Sequence, residues 1–127
     1  MLRLAAMILI TGSLAVPVAA QQVAPDDFRP RVLADLVALC GVNPEDPLSA
    51  EAIHFCHGYV TGAWQYYEAS MAGPDAQPFV CPPTPPPSRD QAVEMFLIWG
   101  RQHPERSDDA PINGLFRFLA ETWPCQP

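Results

Sequence analysis

The sequence contains no lysine, and its seven arginines stand against 14 aspartates and glutamates, a formal net charge of −7. Without Arg3, which lies in the first 20 residues, six arginines remain and the charge is about −8, six minus 14. Such an acidic surface argues against nucleic acids and anionic membranes as partners, because both carry negative charge. It is compatible with a basic protein partner.

The common signatures of catalysis and cofactor binding are also missing. There is no glycine-rich phosphate loop, no G-x-S-x-G turn and no C-x2-C pair of the kind that binds zinc. Serines are few, and Ser49 and Ser88 are interpreted as helix caps. The cysteines are expected to be oxidised, so a reactive thiolate is not expected. We therefore predict a protein that is not an enzyme and has no cofactor.

One group of residues with two histidines has a spacing that could bind a metal. Glu51, His54 and His57 follow each other at intervals of three and share one helical face. A di-iron bundle would need a second Glu-x-x-His on another helix, and the sequence has none. We favour histidines that are exposed or hydrogen-bonded, and assign no metal ligand. A metal-binding or enzymatic role for these three residues is the least favoured hypothesis.

Only one long apolar run occurs, from Leu4 to about Val18, directly after a positive start at Arg3. With small residues up to Ala20, this pattern predicts a secretory signal peptide that is cleaved after Ala20. A membrane anchor is the alternative. It is disfavoured because a spanning helix needs ~20 apolar residues and no stop-transfer charges follow.

The remaining residues, 21–127, are predicted to form one exported helical domain that is periplasmic and free of the membrane. Residues 21–28 are interpreted as a frayed leader. Apolar residues at helical spacing then predict a small all-α bundle of four helices without strands. The predicted helices cover 30–40, 49–70 with Ser49 as N-cap, 88–103 with a Ser88-x-x-Gln91 capping box, and 108–123.

The second helix carries two glycines, Gly58 and Gly62, each of which weakens a helix by ~1 kcal/mol relative to alanine. We expect them to clear a groove in which another element approaches the backbone closely. Apolar residues on two sides of this helix predict that it is central and covered from both. The five prolines between Cys81 and Ser88 predict a stiff, extended spacer, with a PxxP docking ligand as the alternative.

Four cysteines in a small exported domain predict two disulfides. A short turn between helices three and four makes them antiparallel neighbours, which brings Cys125 back towards Cys81. We therefore favour Cys81–Cys125 with Cys40–Cys56. Cys40–Cys125 with Cys56–Cys81 remains open, since the proline-rich loop could fold back along the second helix.

Several of these residues also occur together in a known pattern. It consists of Phe55-Cys56-x-Gly58-Tyr59-x-x-Gly62, Cys81-x-Pro83, Gln91 at a helix start, His103-Pro104-Glu105, Ala110 and Trp123-Pro124-Cys125. In this order the residues resemble the Rap/Tai family over about residues 33–125. These are small exported helical proteins first known as immunity proteins to type VI secretion amidase effectors.

The resemblance implies a periplasmic protein that binds and blocks a peptidoglycan-cleaving amidase. It implies a protein partner. A homodimer is a separate assembly to consider. The alternatives are a small acid-stress chaperone, suggested by size, disulfides and many carboxylates, and an envelope structural protein without a toxin partner. Partner contacts are expected first on loops 41–48 and 71–87, because binding residues often lie on loops held by a rigid scaffold.

Overall fold

Four α-helices form from the four segments that carry apolar residues at helical spacing. The computed structural model describes residues 21–126, so the predicted signal peptide and its cleavage site lie outside the described residues. The helices are α1 Leu33–Cys40, α2 Ser49–Ser70, α3 Arg89–Gln102 and α4 Pro111–Thr122, with 3-10 turns at Pro25–Phe28 and Pro104–Arg106. The described part contains no strand, only an isolated bridge between Val80 and Pro124. The prediction of four helices and an all-α fold is confirmed.

The shortest helix, α1, contacts all three of the others. Its buried face meets large apolar side chains from α3 and α4, and each fully buried side chain of this size contributes about 1.5–3 kcal/mol. The largest fully buried side chains are Leu33, Leu36, Leu39, Cys56, Phe96, Leu115 and Phe118. The helices therefore share one core, organised around α1.

The N-terminus of α1 is held by the connection between α3 and α4. Leu33 N–H donates to the Asp109 carbonyl at 2.8 Å, and Ala34 N–H donates to the Ser107 carbonyl at 3.0 Å. These bonds satisfy two of the amides that a helix leaves unpaired at its start. The helix consequently begins at Leu33, and the expectation that Pro30 lies in its first turn was wrong.

The start of α2 depends on a buried carboxylate, that of Asp46, rather than on a serine cap. Its side chain accepts hydrogen bonds from Leu48 N–H and Val23 N–H, both at 2.8 Å. Ser49 is the first helical residue and makes no side-chain cap, so its assignment as N-cap was wrong. Asp46 is the one charged residue among the buried side chains described.

The interpretation of residues 21–28 as a frayed leader was also wrong. Val23 is bonded to Asp46, and the ring of Phe28 packs edge-on against Phe55 with 5.8 Å between centroids. The leader is thereby fastened across the start of α2.

The capping box of α3 is confirmed. Gln91 N–H donates to the Ser88 hydroxyl at 3.2 Å, and Ser88 N–H donates to the Gln91 side chain at 2.8 Å. The helix ends before His103, as the following proline predicts.

The predicted start of α4 at Asp108 or Asp109 was too early. Asp109 N–H donates to the Arg106 carbonyl at 2.9 Å, and its carboxylate lies 3.8 Å from the Arg106 guanidinium. Asp109 therefore belongs to the turn, and Pro111 is the first helical residue.

The prediction of close packing at Gly58 and Gly62 is contradicted by the structure. Both are exposed, and a Cβ built at either would meet nothing within 4 Å. The side chain of Tyr66, on the same side of α2, is 76% exposed. This face of α2 is open at Gly62 and Tyr66, whereas Phe55 and Tyr59 are half-buried against the core. The expectation that α2 is covered from both sides therefore holds only for part of the helix. The close approach occurs at Gly114, where a Cβ would lie 2.5 Å from Leu33 Cδ1.

This contrast predicts opposite effects for the same substitution. Gly62→Ala should raise the free energy of unfolding by up to ~1 kcal/mol, because alanine is the better helix former and the site is open. Gly114→Ala should lower it by ~1–3 kcal/mol, because the new methyl meets a buried leucine that has little room to move. Urea unfolding of the oxidised protein measures both. A destabilised Gly62→Ala variant would show that this face is covered in solution.

Candidate partner-binding surface

Both disulfides favoured from the sequence are confirmed. Cys40–Cys56 joins the end of α1 to α2 with 5.0 Å between Cα atoms. Cys81–Cys125 joins the proline-rich connection to the end of the chain with 4.9 Å. Each bridge contributes ~2–4 kcal/mol by the usual range. Disulfides of this kind fit an oxidising, extracytoplasmic compartment.

The segment between α2 and the prolines is fixed by one hydroxyl, that of Tyr67. It accepts hydrogen bonds from Phe79 N–H and Val80 N–H, both at 2.9 Å, and reaches the Val80 carbonyl at 3.4 Å. On the other side, Cys81 N–H donates to the Trp123 carbonyl at 2.7 Å. Residues 79–81 are therefore held between α2 and the end of α4.

This attachment leaves a cavity of about 470 Å³ between α2 and the proline-rich segment. Its volume lies within the range of roughly 300–1,000 Å³ that is typical of ligand pockets. The walls come from α2, from the prolines, from the start of α3 and from the end of α4. The apolar side chains that line it include Val60, Trp64, Pro83, Pro87, Leu119 and Trp123.

Two charged side chains, Glu68 and Arg89, line the same cavity. Arg89 Nε lies 3.9 Å from the Asp90 carboxylate, which also lies 3.4 Å from His57 Nε2. Glu68 makes no ion pair with any residue in the described range. The cavity thus has a largely apolar lining and one acid, Glu68, that forms no ion pair with the described residues.

A second, shallower depression of about 390 Å³ lies on the other side of the proline attachment. It is formed around Phe79 and Phe116, whose ring centroids are 6.1 Å apart. Phe79 is 47% exposed. This depression is open to solvent and has fewer enclosing groups than the cavity beside Trp64.

The family-pattern residues fall into structural roles on different parts of the surface. Gln91 completes the α3 cap, Pro124 forms the bridge to Val80, and Pro83 lines the cavity. Gly58 is exposed, whereas the half-buried Tyr59 has its hydroxyl pKa raised by burial. The pattern therefore does not converge on one site.

His103 and Pro104 follow the end of α3 and take part in the turn that leads to α4. The His103 ring stacks on Trp99 with 4.7 Å between centroids, and its Nδ1 lies 2.9 Å from Glu105 Oε1. The hydrogen bond from His103 is the main cause that lowers the pKa of Glu105. Trp99 in turn donates to Glu121 at 2.8 Å. These contacts fasten the turn between α3 and α4.

The histidines of α2 are not gathered into a metal site. His54 is exposed and His57 faces Asp90 on α3. Over residues 21–126, no group of three or more His, Cys, Asp or Glu side chains is arranged to hold a metal ion. No helix in that range is both long and apolar enough to cross a bilayer.

The two loops that were expected to carry partner contacts differ in their surroundings. Loop 41–48 holds the buried Asp46, whereas the prolines of loop 71–87 form one wall of the cavity. Sequence reasoning missed Trp64 and Glu68 as members of a common surface. The sequence shows tryptophans and a run of prolines. Only the fold places Trp64, Trp123 and the prolines on the same cavity.

The described residues form a small helical domain with two disulfides and a largely apolar surface cavity. The family model described as Rap1a immunity proteins matches residues 33–125. The chain belongs to this family. No curated protein and no solved structure shows significant similarity to it.

The Tyr67 attachment yields a prediction with a matched control. Tyr67→Phe should lower the free energy of unfolding by ~1–3 kcal/mol, because it removes the acceptor of two amides, one of them buried. Tyr66→Phe, one residue earlier on the exposed side of α2, should change it by less than ~0.5 kcal/mol. Urea unfolding of both variants measures the difference. Equal effects would contradict the role given to the Tyr67 hydroxyl.

Proposed function

We propose that the protein is an immunity protein that is exported to the periplasm and there binds and blocks a peptidoglycan amidase effector of type VI secretion. The single observation that carries the proposal is membership of the Rap1a immunity family over nearly three quarters of the chain. Both disulfide bridges lie within or at the edge of the matched region. The family supports a protein effector as partner, and the amidase is the specific partner proposed here.

The surface supports inhibition by binding rather than by catalysis. A cavity with two tryptophans offers rigid aromatic anchors, which are enriched at the energetic centres of protein interfaces. The net charge of −7 favours association with a basic partner by electrostatic steering. The protein would act by covering the effector's substrate site, and we expect no activity of its own.

Export is proposed on two grounds. The first 20 residues have the pattern of a cleaved signal peptide, and the described domain is held by two disulfides. An effector that cleaves the cell wall would meet its inhibitor in the same compartment.

The experiment that tests the proposal uses the full chain and an amidase effector encoded beside its gene. The amidase, directed to the periplasm of a host bacterium, should lyse the cells, and co-expression of the full chain should prevent lysis. A version without residues 1–20 should not protect. Purified oxidised protein should also form a complex with the amidase and stop its release of peptide fragments from peptidoglycan.

Lysis that continues in the presence of the correctly exported, oxidised protein would contradict the proposal. So would amidase activity that is unchanged at a molar excess of the protein. Sedimentation of the purified protein over a range of concentrations tests the homodimer, which stays a prediction.

A further inference from the structure

We propose that the cavity between α2 and the proline-rich segment binds a segment of a protein partner that presents a lysine or arginine beside an apolar residue. The cation would lie over the tryptophan faces near Glu68, and the apolar side chain would fill the space between Val60 and Leu119. The inference rests on the proposed function, because the segment would belong to the effector.

The first argument for a basic guest is the charge at the cavity. Two charged side chains line the cavity, the acid Glu68 and the cation Arg89, and Arg89 is already opposed by Asp90. The protein as a whole is acidic, with a formal net charge of −7. His54 and His57 are the other titratable groups that could carry positive charge on α2, and His57 already faces Asp90. Among the described residues, the carboxylate of Glu68 is therefore the unpaired charge at this cavity, and a cation is its complementary partner.

The second argument for a basic guest is the aromatic lining of the cavity. Trp64 and Trp123 both contribute to it, and indole is the ring that attracts a cation most strongly over its face. Glu68 adds a carboxylate at the same cavity without an ion-pair partner among the described residues. An aromatic face and an unpaired acid together select a basic side chain over a neutral one.

One cation, Arg89, lines the cavity and argues for an acidic guest instead. Its charge is already opposed by Asp90, whose carboxylate lies 3.9 Å from Arg89 Nε. Asp90 also faces His57. Glu68 has no such partner within residues 21–126, so the balance of charge at the cavity favours a basic guest, and separate variants of Glu68 and Arg89 test this.

The third argument is that the proline-rich wall of the cavity is held in a fixed position before a guest binds. The segment that leads into the prolines is held by the Tyr67 hydroxyl and by Cys81–Cys125. Prolines restrict the backbone further. A preformed cavity loses less conformational entropy when a short segment enters it.

The test is a nuclear magnetic resonance titration of the oxidised protein with three blocked dipeptides, Ac-Phe-Arg-NH2, Ac-Phe-Gln-NH2 and Ac-Phe-Glu-NH2. The chain has three tryptophans, and their indole N–H signals report separately. Signals of Trp64 and Trp123 should move saturably with the arginine peptide. The signal of Trp99, which is bonded to Glu121, should stay in place. The arginine peptide should bind at least about fivefold more tightly than the glutamate peptide.

Four variants sharpen this result. Glu68→Gln should weaken the arginine peptide about 2- to 5-fold. Glu94→Gln, which removes the same charge from an exposed position of α3 outside the cavity, should leave its affinity unchanged. Arg89→Gln should not weaken it. Trp64→Leu should abolish the saturable shift of Trp123, with unfolding curves as the check on folding.

Equal or tighter binding of the glutamate peptide would overturn the proposal, as would the absence of any shift at Trp64 and Trp123. Indole shifts that depend on protein concentration alone would assign the cavity to a second copy and also overturn it. These failures are distinct from failure of the proposed function. If the amidase is inhibited while the peptides do not bind, only the cavity proposal fails. If the arginine peptide binds but no amidase is inhibited, the immunity function fails.

Discussion

The hydroxyl of Tyr67 holds the chain at the point where α2, the proline-rich segment and the end of α4 meet. Without it, Phe79 N–H and Val80 N–H would lose their acceptor, and a buried amide without a partner is costly. Together with Cys81–Cys125, it fixes the wall of the cavity. The candidate binding surface is thus a consequence of how a helix-free segment satisfies its backbone hydrogen bonds.

A second constraint acts on α1. This helix has only eight residues, so its local stability is small, yet it provides much of the common core. It is held by the close approach of Leu33 to Gly114, by the carbonyls of the α3–α4 turn and by Cys40–Cys56. The two disulfides thus secure two different parts of the bundle, the core helix and the cavity wall.

Much of the fold could be predicted because it depends on local signals. Glycine and proline mark the helix ends, the Ser88 capping box lies within four residues, and antiparallel helices bring Cys81 to Cys125. Burial across helices could not be predicted in the same way. The apolar residues at helical spacing in α4 are Ile112, Leu115, Phe116, Leu119 and Trp123, yet Ile112 is 40% exposed. Phe118 lies outside this stripe and is buried. The rotation of each helix about its axis depends on its neighbours.

The packing of the glycines and the formation of the cavity also could not be predicted from local sequence. Nothing local distinguishes the open Gly62 from the closely packed Gly114, because the difference is the position of Leu33 on another helix. The burial of Asp46 and the placement of Trp64 and Trp123 on one cavity likewise require the tertiary fold. Family membership predicts the general function, whereas the surface that would carry specificity emerges only from the assembled structure.

The central claim is that the partner binds at the cavity beside the proline-rich segment. Hydrogen–deuterium exchange of the oxidised protein, alone and in complex with the amidase effector, tests it most directly. The account predicts slower exchange in peptides that cover residues 60–68 and 88–92 when the effector is bound. Protection confined to loop 41–48 or to the α3–α4 turn, with both of these regions unchanged, would contradict it.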